Sequence, residues 1–336
     1  MSKITRRTML AGGAALPLVA IRTGKADAAQ FSYKFATNLP AVHPLNVRIG
    51  EALAKIKTES DGRLDITLFP NSELGTDPVM LSQVRSGALQ FFTLSPLILS
   101  TLVPLSAING VGFAFKDSTQ AFSAMDGQLG AFVRTAIAAR GLIAFEKIFD
   151  NGFRQITTGN HPIRTPDDLH ALRIRVPPAA LWTSMFSDFG ASPTTISFNE
   201  VYTSLQTKIV DGQENPLAIV SSAKLYEVQK YCSLTNHMWD GFWTLANPAA
   251  FKRLPADLQA LAERELNAAA LRQRGDVASL NATLQTSLSA QGLAFNDTDP
   301  AQFRAALTHA GFYSSWKGKF GDQAWSLLEG YTGALG

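Results

Sequence analysis

Between residues 31 and 94 the chain alternates between short apolar strands and amphipathic helices, and this alternation limits the folds that it can adopt. Phe31, Tyr33 and Phe35 alternate with Ser32 and Lys34, which predicts a first strand. Further helices and strands are predicted at residues 45–59, 64–69, 78–86 and 89–94. Strands and helices in this order require right-handed crossovers, which produce a largely parallel sheet in an α/β fold.

Sheets of this kind bind ligands at the loops that follow the carboxyl ends of their strands. Here those loops are Ala36–Pro40, Phe69–Gly75 and Thr93–Pro96. We therefore expect part of a ligand site at this edge of the sheet.

The segment from residue 151 to residue 247 repeats the arrangement, which predicts a second α/β lobe. Strands are expected at residues 172–176, 194–198 and 244–247, and helices at 179–189, about 199–210 and about 219–231. Asp211-Gly212 is interpreted as a turn. A chain of 336 residues is long enough for two lobes with a ligand cleft between them.

A run of about 36 residues from Ala256 to Gln291 contains no proline and is rich in helix-forming residues. Such a helix is about 54 Å long, so we expect it to brace both lobes. Lobe I is assigned to residues 29–151 and about 241–280, lobe II to about 152–240 and 281–320, and a C-terminal helical segment to about 321–336.

The first 28 residues have the pattern of an export signal. Arg6-Arg7 precede an apolar run from Met9 to Ile21, and Ala26-Asp27-Ala28 offers a cleavage site. The run is shorter than the roughly 20 residues that a permanent membrane helix needs. The pattern predicts a twin-arginine signal peptide at residues 1–28, cleavage near Ala28, and a periplasmic protein.

Without residues 1–28, which contain five basic residues and one acidic residue, the net charge falls from +3 to −1. No basic surface is therefore indicated for nucleic acid or for an anionic membrane. Cys232 is the only cysteine, so the chain cannot form an internal disulfide, and we expect a buried and inert thiol.

The sequence lacks the common motifs of catalytic and metal sites. It has no phosphate-binding glycine loop, no G-x-S-x-G elbow and no paired histidine or C-x-x-C spacing, and its five histidines are scattered. We therefore predict no catalytic residue, no metal and no cofactor, and a binding protein rather than an enzyme. An exported enzyme remains the alternative, because twin-arginine export often carries folded cofactor proteins.

Two arginines lie on the predicted strand Leu172–Val176 and require an explanation. Its period of two places Arg173 and Arg175 on one face, opposite the apolar residues. Arg175, at the end of the strand, is predicted to bind an anionic ligand, whereas Arg173 is expected to form a structural ion pair. A guanidinium can bind a carboxylate through two parallel hydrogen bonds, each worth roughly 1.5–3 kcal/mol when shielded from water.

Several segments together resemble the solute-binding proteins of tripartite ATP-independent periplasmic (TRAP) transporters, of the DctP type. They are Phe69–Gly75, Leu172–Pro177, Gly190–Thr194, Glu200–Gln206, Val210–Pro216, Tyr226–Lys230 and Thr235–His237. The resemblance covers almost the whole chain after residue 28. It implies a periplasmic binding protein-like fold, a monomer that binds a small carboxylate, and delivery of that ligand to integral membrane subunits of the transporter.

The resemblance also implies roles for individual residues around the carboxylate. Arg175 matches the arginine that forms the salt bridge with the ligand, and Arg154 matches a second arginine that often joins it. Asn215 matches an asparagine that contacts the carboxylate, or it is a turn residue before Pro216. Phe198 matches an aromatic residue beside the ligand, or it belongs to the core.

Three further positions follow from the same resemblance. Asn38 and Ser95 match positions that touch the rest of the ligand, and His237 matches a histidine that supports the site. The loop Phe91–Pro96 lacks the glutamate of family members that bind sialic acid, which argues against that ligand.

The segment Met238–Trp243 is unusually aromatic, and it is the part of the predicted site that is most specific to this sequence. Trp239 could stack on a ligand and Asp240 could accept hydrogen bonds from hydroxyl groups, as a sugar acid such as a uronate requires. A small aromatic acid or a 2-oxo acid is the alternative ligand. The tryptophans could equally belong to the core.

Overall fold

The computed structural model describes residues 29–336, so the predicted signal peptide and its cleavage site lie outside the described residues. The strands are β1 (Phe31–Ala36), β2 (Leu64–Phe69), β3 (Phe91–Leu94), β4 (Ile143–Ala144), β5 (Phe149–Phe153), β6 (Gln155–Thr158), β7 (Arg173–Val176), β8 (Ser192–Thr195), β9 (Gly212–Asn215), β10 (Tyr231–Leu234), β11 (Trp239–Ala246) and β12 (Ala294–Asp297).

The α-helices of the described residues are α1 (Pro44–Glu59), α2 (Asp77–Ser86), α3 (Pro96–Leu99), α4 (Ser118–Asp126), α5 (Gln128–Ala138), α6 (Ala180–Asp188), α7 (Val201–Gln206), α8 (Leu217–Ser222), α9 (Pro248–Arg253), α10 (Ala256–Ala290), α11 (Pro300–His309), α12 (Phe312–Phe320) and α13 (Asp322–Thr332). Short 3₁₀ turns lie at Pro104–Gly110, Pro166–Leu169, Phe198–Glu200 and Leu225–Glu227.

Two six-stranded sheets divide the molecule into two α/β lobes. The sheet of lobe I has the order β2-β1-β3-β11-β4, with β5 paired to β11, and the sheet of lobe II has the order β12-β10-β6-β9-β7-β8. In lobe I, β1 is parallel to β2 and β3, as the strand–helix alternation predicts. The return strand β11 is antiparallel to β3.

Three connections cross between the lobes. Residue 154 links β5 to β6, residues 235–238 link β10 to β11, and the long helix α10 leads to β12. The two short connections lie side by side, because Arg154 donates its backbone N–H to the carbonyl of Met238 at 2.9 Å. Ligand clefts of two-lobed proteins lie next to such crossings, which absorb the rotation of the lobes.

The predicted bracing helix is confirmed. Helix α10 has 35 residues; Leu258 and Leu266 pack in a core of lobe I, and Leu284 and Leu288 pack in a core of lobe II. Between these ends, Arg48 of α1 forms a bidentate ion pair with Asp276 at 2.6 and 2.7 Å. The C-terminal helices also contact both lobes, since Trp316 of α12 donates to Ser184 of α6 and Trp325 lies in the core that includes α4 and α5.

Two elements of lobe II differ in kind from the sequence prediction. Two others differ in their bounds: the strand expected at 194–198 is β8 (Ser192–Thr195), and the helix expected at about 199–210 is the shorter α7 (Val201–Gln206). Asp211-Gly212 does not form a turn: Gly212 begins strand β9, which pairs with both β6 and β7. Hydrophobic periodicity misses β9 because its buried side chains, Gln213, Glu214 and Asn215, are all polar. The helix expected at 219–231 is also wrong.

That helix is replaced by a short helix and a strand. Helix α8 ends at Ser222, Lys224 adopts a left-handed conformation (φ +54°), and the chain enters strand β10 at Tyr231. Strand β11 begins at Trp239 rather than at Thr244 and is buried throughout. Cys232 of β10 is free and buried, as predicted, and burial raises the pKa of its thiol.

Candidate ligand-binding site

A cavity with an empty volume of about 300 Å³ lies between the lobes, beside their short connections. Fourteen residues line it, and both lobes contribute. They are Asn38, Leu39, Ser95, Ile98, Asn151, Asp240 and Phe242 from lobe I, and Arg154, Arg175, Pro177, Trp182, Phe198, Asn215 and Ile219 from lobe II and its junction with lobe I. We call this space the central cavity. Seven of the eight residues predicted to bind the ligand line it.

Arg175 is a buried cation whose terminal nitrogens have no partner within the described residues. It lies on β7, its side chain is almost wholly buried, and its Nε donates to the carbonyl of Ile196 at 2.8 Å. Burial lowers the pKa of Arg175 to about 9, although Glu214 opposes this shift. A buried charge is stable only when it is paired. Arg175 therefore requires an anion in the cavity, and its two terminal nitrogens are free to bind one.

Arg173 has the structural role that its position predicts. Its side chain is exposed and forms a bidentate ion pair with Asp211, at 2.8 and 2.7 Å. Only one residue, Ile174, separates Arg173 from Arg175, yet one guanidinium is neutralised at the surface and the other faces the cavity.

Arg154 is neutralised by protein groups. Its Nε donates to the Glu214 carboxylate, and its terminal nitrogens donate to Glu214 Oε1 at 2.8 Å, Asn215 Oδ1 at 2.9 Å and Asp240 Oδ2 at 3.2 Å. The guanidinium also lies over the ring of Trp182, 4.8 Å from its centroid. One N–H of Arg154 is left for a ligand, so its main effect is to position Asn215 and Asp240.

Glu214 and His237 complete this buried network, with His237 in a supporting position. The ring of His237 lies 3.1 Å from Glu214 Oε2 and 2.8 Å from the hydroxyl of Thr235. Burial raises the pKa of Glu214, but Arg154 and His237 outweigh burial and hold it below its ordinary value. Glu214 is therefore the anion that orients Arg154.

Lobe I presents acceptors for hydrogen bonds to the cavity. Asp240 accepts from the hydroxyl of Ser95 at 2.8 Å and from Asn151 Nδ2 at 2.9 Å, and burial raises the pKa of Asp240. Asn151 Oδ1 is buried and has no partner within the described residues. A ligand hydroxyl group could donate to this oxygen.

Asn38 and Asp77 form a second polar pair beside the cavity. Asn38 Nδ2 donates to Asp77 Oδ2 at 3.0 Å, and within the described residues neither Asn38 Oδ1 nor Asp77 Oδ1 has a partner. Burial raises the pKa of Asp77 to about 6, while Asn38 and Arg175 oppose the shift. Two further unsatisfied acceptors therefore lie at the lobe I side of the site.

The structure corrects the assignment of Trp239 to the ligand. Trp239 does not line the cavity: it packs edge-on against Phe115 and Phe122 and donates its indole N–H to Asp150 at 2.9 Å. Asp240 and Phe242 point into the cavity because successive side chains of a strand point to opposite faces. Trp243 likewise lies in the core.

Sequence reasoning missed seven of the fourteen lining residues, which are Leu39, Ile98, Asn151, Pro177, Trp182, Ile219 and Phe242. It also missed Asp77, the hydrogen-bond partner of Asn38. Strand alternation along β11 could have selected Phe242 over Trp239. Asp77 follows the loop after β2, where a ligand residue is expected. Trp182 lies on the helix that follows Arg175, and no local pattern distinguishes it from a core residue.

Within residues 29–336, no group of three His, Cys, Asp or Glu side chains could hold a metal ion. No helix in the same part of the chain is both long and apolar enough to span a membrane.

Comparison with known proteins shows which family has this architecture. The chain is 31% identical to the solute-binding protein RD1_1052 of Roseobacter denitrificans over 307 residues, which are 90% of this chain and 93% of that protein. A match to another curated relative covers only about half of that relative's length, 48%.

Two solved structures are similar over most of both chains. The sugar acid binding protein DctPAm from Advenella mimigardefordensis, in complex with galactonate, has a TM-score of 0.86 and 27% identity over 91% of this chain and 99% of that one. A TRAP periplasmic solute-binding protein from Roseobacter denitrificans with bound β-D-glucuronate has a TM-score of 0.85 and 26% identity over 90% and 99%.

The family model for bacterial extracellular solute-binding proteins, family 7 (DctP), matches residues 35–311, which span both lobes and the whole cavity. The chain therefore belongs to this family of solute-binding proteins.

Proposed function

We propose that this protein captures a sugar acid, such as a uronate, in the periplasm and delivers it to the integral membrane subunits of a TRAP transporter. The observation that carries the proposal is Arg175: a buried guanidinium with both terminal nitrogens unpartnered among the described residues, at the wall of an interlobe cavity. A ligand carboxylate would supply the missing anion through two parallel hydrogen bonds. Asn215 also lines the cavity; its Nδ2 donates one hydrogen to Gln213 Oε1, which leaves the second N–H of this amide for the ligand.

The rest of the cavity supports a hydroxylated ligand. Asn38 Oδ1 and Asn151 Oδ1 are buried acceptors without partners in the described chain, and the hydroxyl groups of a sugar acid would satisfy them. Phe198 and Phe242 provide ring surfaces for the CH groups of a sugar. A small aromatic acid or a 2-oxo acid would leave the acceptors unsatisfied, and the similar proteins with galactonate and glucuronate favour the sugar acid.

Binding is expected to close the cleft. Arg175 and Asn215 belong to lobe II, whereas Asn38 and Asn151 belong to lobe I, so only the closed form makes both sets of contacts. The closed, loaded protein is the form that the membrane subunits would recognise. Membership of a family of transport-associated binding proteins supports a binding protein rather than an enzyme.

Export by a twin-arginine signal, a monomeric state and lobe boundaries near those given above, with β11 from Trp239 onward in lobe I, belong to the same proposal. Expression of the full chain with Arg6→Lys and Arg7→Lys tests the export route. The double variant should accumulate in the cytoplasm without cleavage near Ala28, whereas periplasmic accumulation would contradict twin-arginine export.

Isothermal titration calorimetry with purified protein tests the ligand class. The panel comprises D-galacturonate, D-glucuronate, D-galactonate, succinate, benzoate and pyruvate, with neutral galactose as the control for charge. We expect micromolar or tighter binding of at least one sugar acid and none of galactose. Tighter binding of benzoate or pyruvate than of every sugar acid would overturn the assignment.

A further inference from the structure

Beside the central cavity, the interlobe cleft contains a second space, which opens to solvent and has an empty volume of about 600 Å³. We call it the mouth compartment. It is lined by Asn38, Pro40, Asn71, Phe198, Asn199, Tyr202, Ala223 and Leu225. Since Asn38 and Phe198 line both spaces, the compartment directly adjoins the central cavity.

Both lobes build the mouth compartment. On lobe I, the backbone N–H of Asn71 donates to the carbonyl of Leu39 at 2.8 Å, which holds the loop after β2 against the loop after β1. Asn71 adopts a left-handed conformation (φ +54°), which asparagine tolerates better than most residues. On lobe II, Asn199 lies in the 3₁₀ turn that precedes α7, and Tyr202 lies in the first turn of α7. An occupant of this space would touch both lobes.

The lining of the mouth compartment is uncharged and contains amide and aromatic side chains. None of its eight residues is charged. The amides of Asn71 and Asn199 are exposed and form no side-chain hydrogen bond within the described residues, and two rings, Phe198 and Tyr202, lie beside them. Asn38, 7% exposed and with an unpartnered Oδ1, stands at the passage between the two spaces.

These groups suit an uncharged, hydroxylated ring. An amide side chain can donate a hydrogen bond to a hydroxyl group or accept one from it, and aromatic faces bind the CH surface of a sugar. A second carboxylate would find no cation among the lining residues, so it would lose its hydration without gaining an ion pair.

We propose that the mouth compartment is a subsite for a neutral sugar unit joined to the acid that Arg175 holds, so that the protein captures glycosylated sugar acids. The carboxylate end enters the central cavity, and the neutral unit passes Asn38 and Phe198 into the mouth compartment. This inference rests on the proposed function, because Arg175 sets the direction in which the ligand lies.

Calorimetry with two pairs of ligands tests the subsite. Lactobionate is D-gluconate carrying a neutral galactosyl unit, and it should bind at least tenfold more tightly than D-gluconate. Digalacturonate places a second carboxylate in the compartment and should bind no more tightly than galacturonate. Equal or weaker binding of lactobionate, while gluconate binds, would overturn the subsite alone. If digalacturonate binds tenfold more tightly than galacturonate, the inference that the mouth compartment selects an uncharged sugar unit is wrong.

A variant that fills the compartment gives a second test. Asn199→Trp should weaken lactobionate binding at least tenfold and leave gluconate binding within about twofold, and the retained gluconate binding shows that the variant is folded. An equal loss of both ligands in this variant, with an unchanged midpoint of urea unfolding, would overturn the subsite. If the wild-type protein binds no sugar acid at all, the proposed function itself fails.

Discussion

The guanidinium of Arg154 lies 3.2 Å from the carboxylate of Asp240, and this buried ion pair joins the connection between β5 and β6 to the start of strand β11. Both side chains are also bound by residues of the ligand site, Asp240 by Ser95 and Arg154 by Asn215. The charges that hold the junction together are thus part of the wall of the cavity. Some substitutions in this network should therefore change mainly the free energy of unfolding, and others mainly the affinity for the ligand.

The first prediction separates the two arginines of β7. Arg175→Lys keeps the positive charge but loses the bidentate geometry, so affinity for the sugar acid should fall at least tenfold. Arg173→Lys is the matched control, because Arg173 pairs with Asp211 at the surface and should change affinity less than twofold. Calorimetry measures both, and equal affinities for the two variants would contradict the role of Arg175.

The second prediction concerns the anion that orients Arg154. Glu214→Gln leaves a buried guanidinium short of a charged partner, so the free energy of unfolding should fall by about 3 kcal/mol. The control is Asp211→Asn, which removes the partner of an exposed arginine and should have a much smaller effect. Urea unfolding measures the difference, and an unchanged midpoint for Glu214→Gln would refute the role of this anion.

The third prediction tests the orientation of strand β11. Trp239→Phe removes the donor to buried Asp150, so stability should fall by about 1–3 kcal/mol while affinity changes less than twofold. Phe242→Leu, on the cavity side of the same strand, should weaken binding severalfold. A large loss of affinity in Trp239→Phe, measured by calorimetry, would place Trp239 in the site after all.

The fourth prediction is that ligand binding takes up a proton. Burial raises the pKa of Asp77 to about 6, and a carboxylate ligand arriving beside it raises that pKa further. Above about pH 6 the bound form therefore holds more protons than the free form, and affinity should fall as the pH rises from 6 to 8.

Calorimetry in phosphate and in Tris detects this proton, because the two buffers have different ionisation enthalpies. The apparent binding enthalpies should differ for the wild type and coincide for Asp77→Asn. Identical enthalpies for the wild type in both buffers would refute proton uptake.

The fifth prediction concerns the pH dependence of stability. Burial raises the pKa of Asp150 from 3.8 to about 7, so the folded state binds more protons than the unfolded state between these values. The free energy of unfolding should therefore decrease as the pH rises from 4 to 7, by up to about 4 kcal/mol from this group. In Asp150→Asn, urea unfolding should show a shallower decrease, and an unchanged slope would contradict the assignment.

Local patterns in the sequence were sufficient for the elements that have clear periodicity. The alternation from Phe31 to Leu94 predicted the parallel strands of lobe I, and the proline-free run from Ala256 predicted helix α10. The period of two placed Arg173 and Arg175 on the same face of β7, and the end of the strand at Pro177 distinguished Arg175 from Arg173. In each case the backbone geometry depends on neighbours within a few residues, which the sequence displays directly.

Other features depend on partners that are distant in the sequence. Strand β9 carries buried polar residues, so its burial follows from hydrogen bonds to β6 and β7 rather than from hydrophobicity. Arg154 has the same residue type as Arg175 but is neutralised by Glu214, sixty residues away.

The sequence by itself therefore determined the two-lobed α/β class, the bracing helix and the arginine most suited to an anion, because periodicity and residue type are local properties. Only the tertiary structure decided which charges are already paired, that Trp239 faces the core, and that the cleft continues past Phe198. Burial and pairing arise when distant segments meet, and no spacing along the chain encodes them.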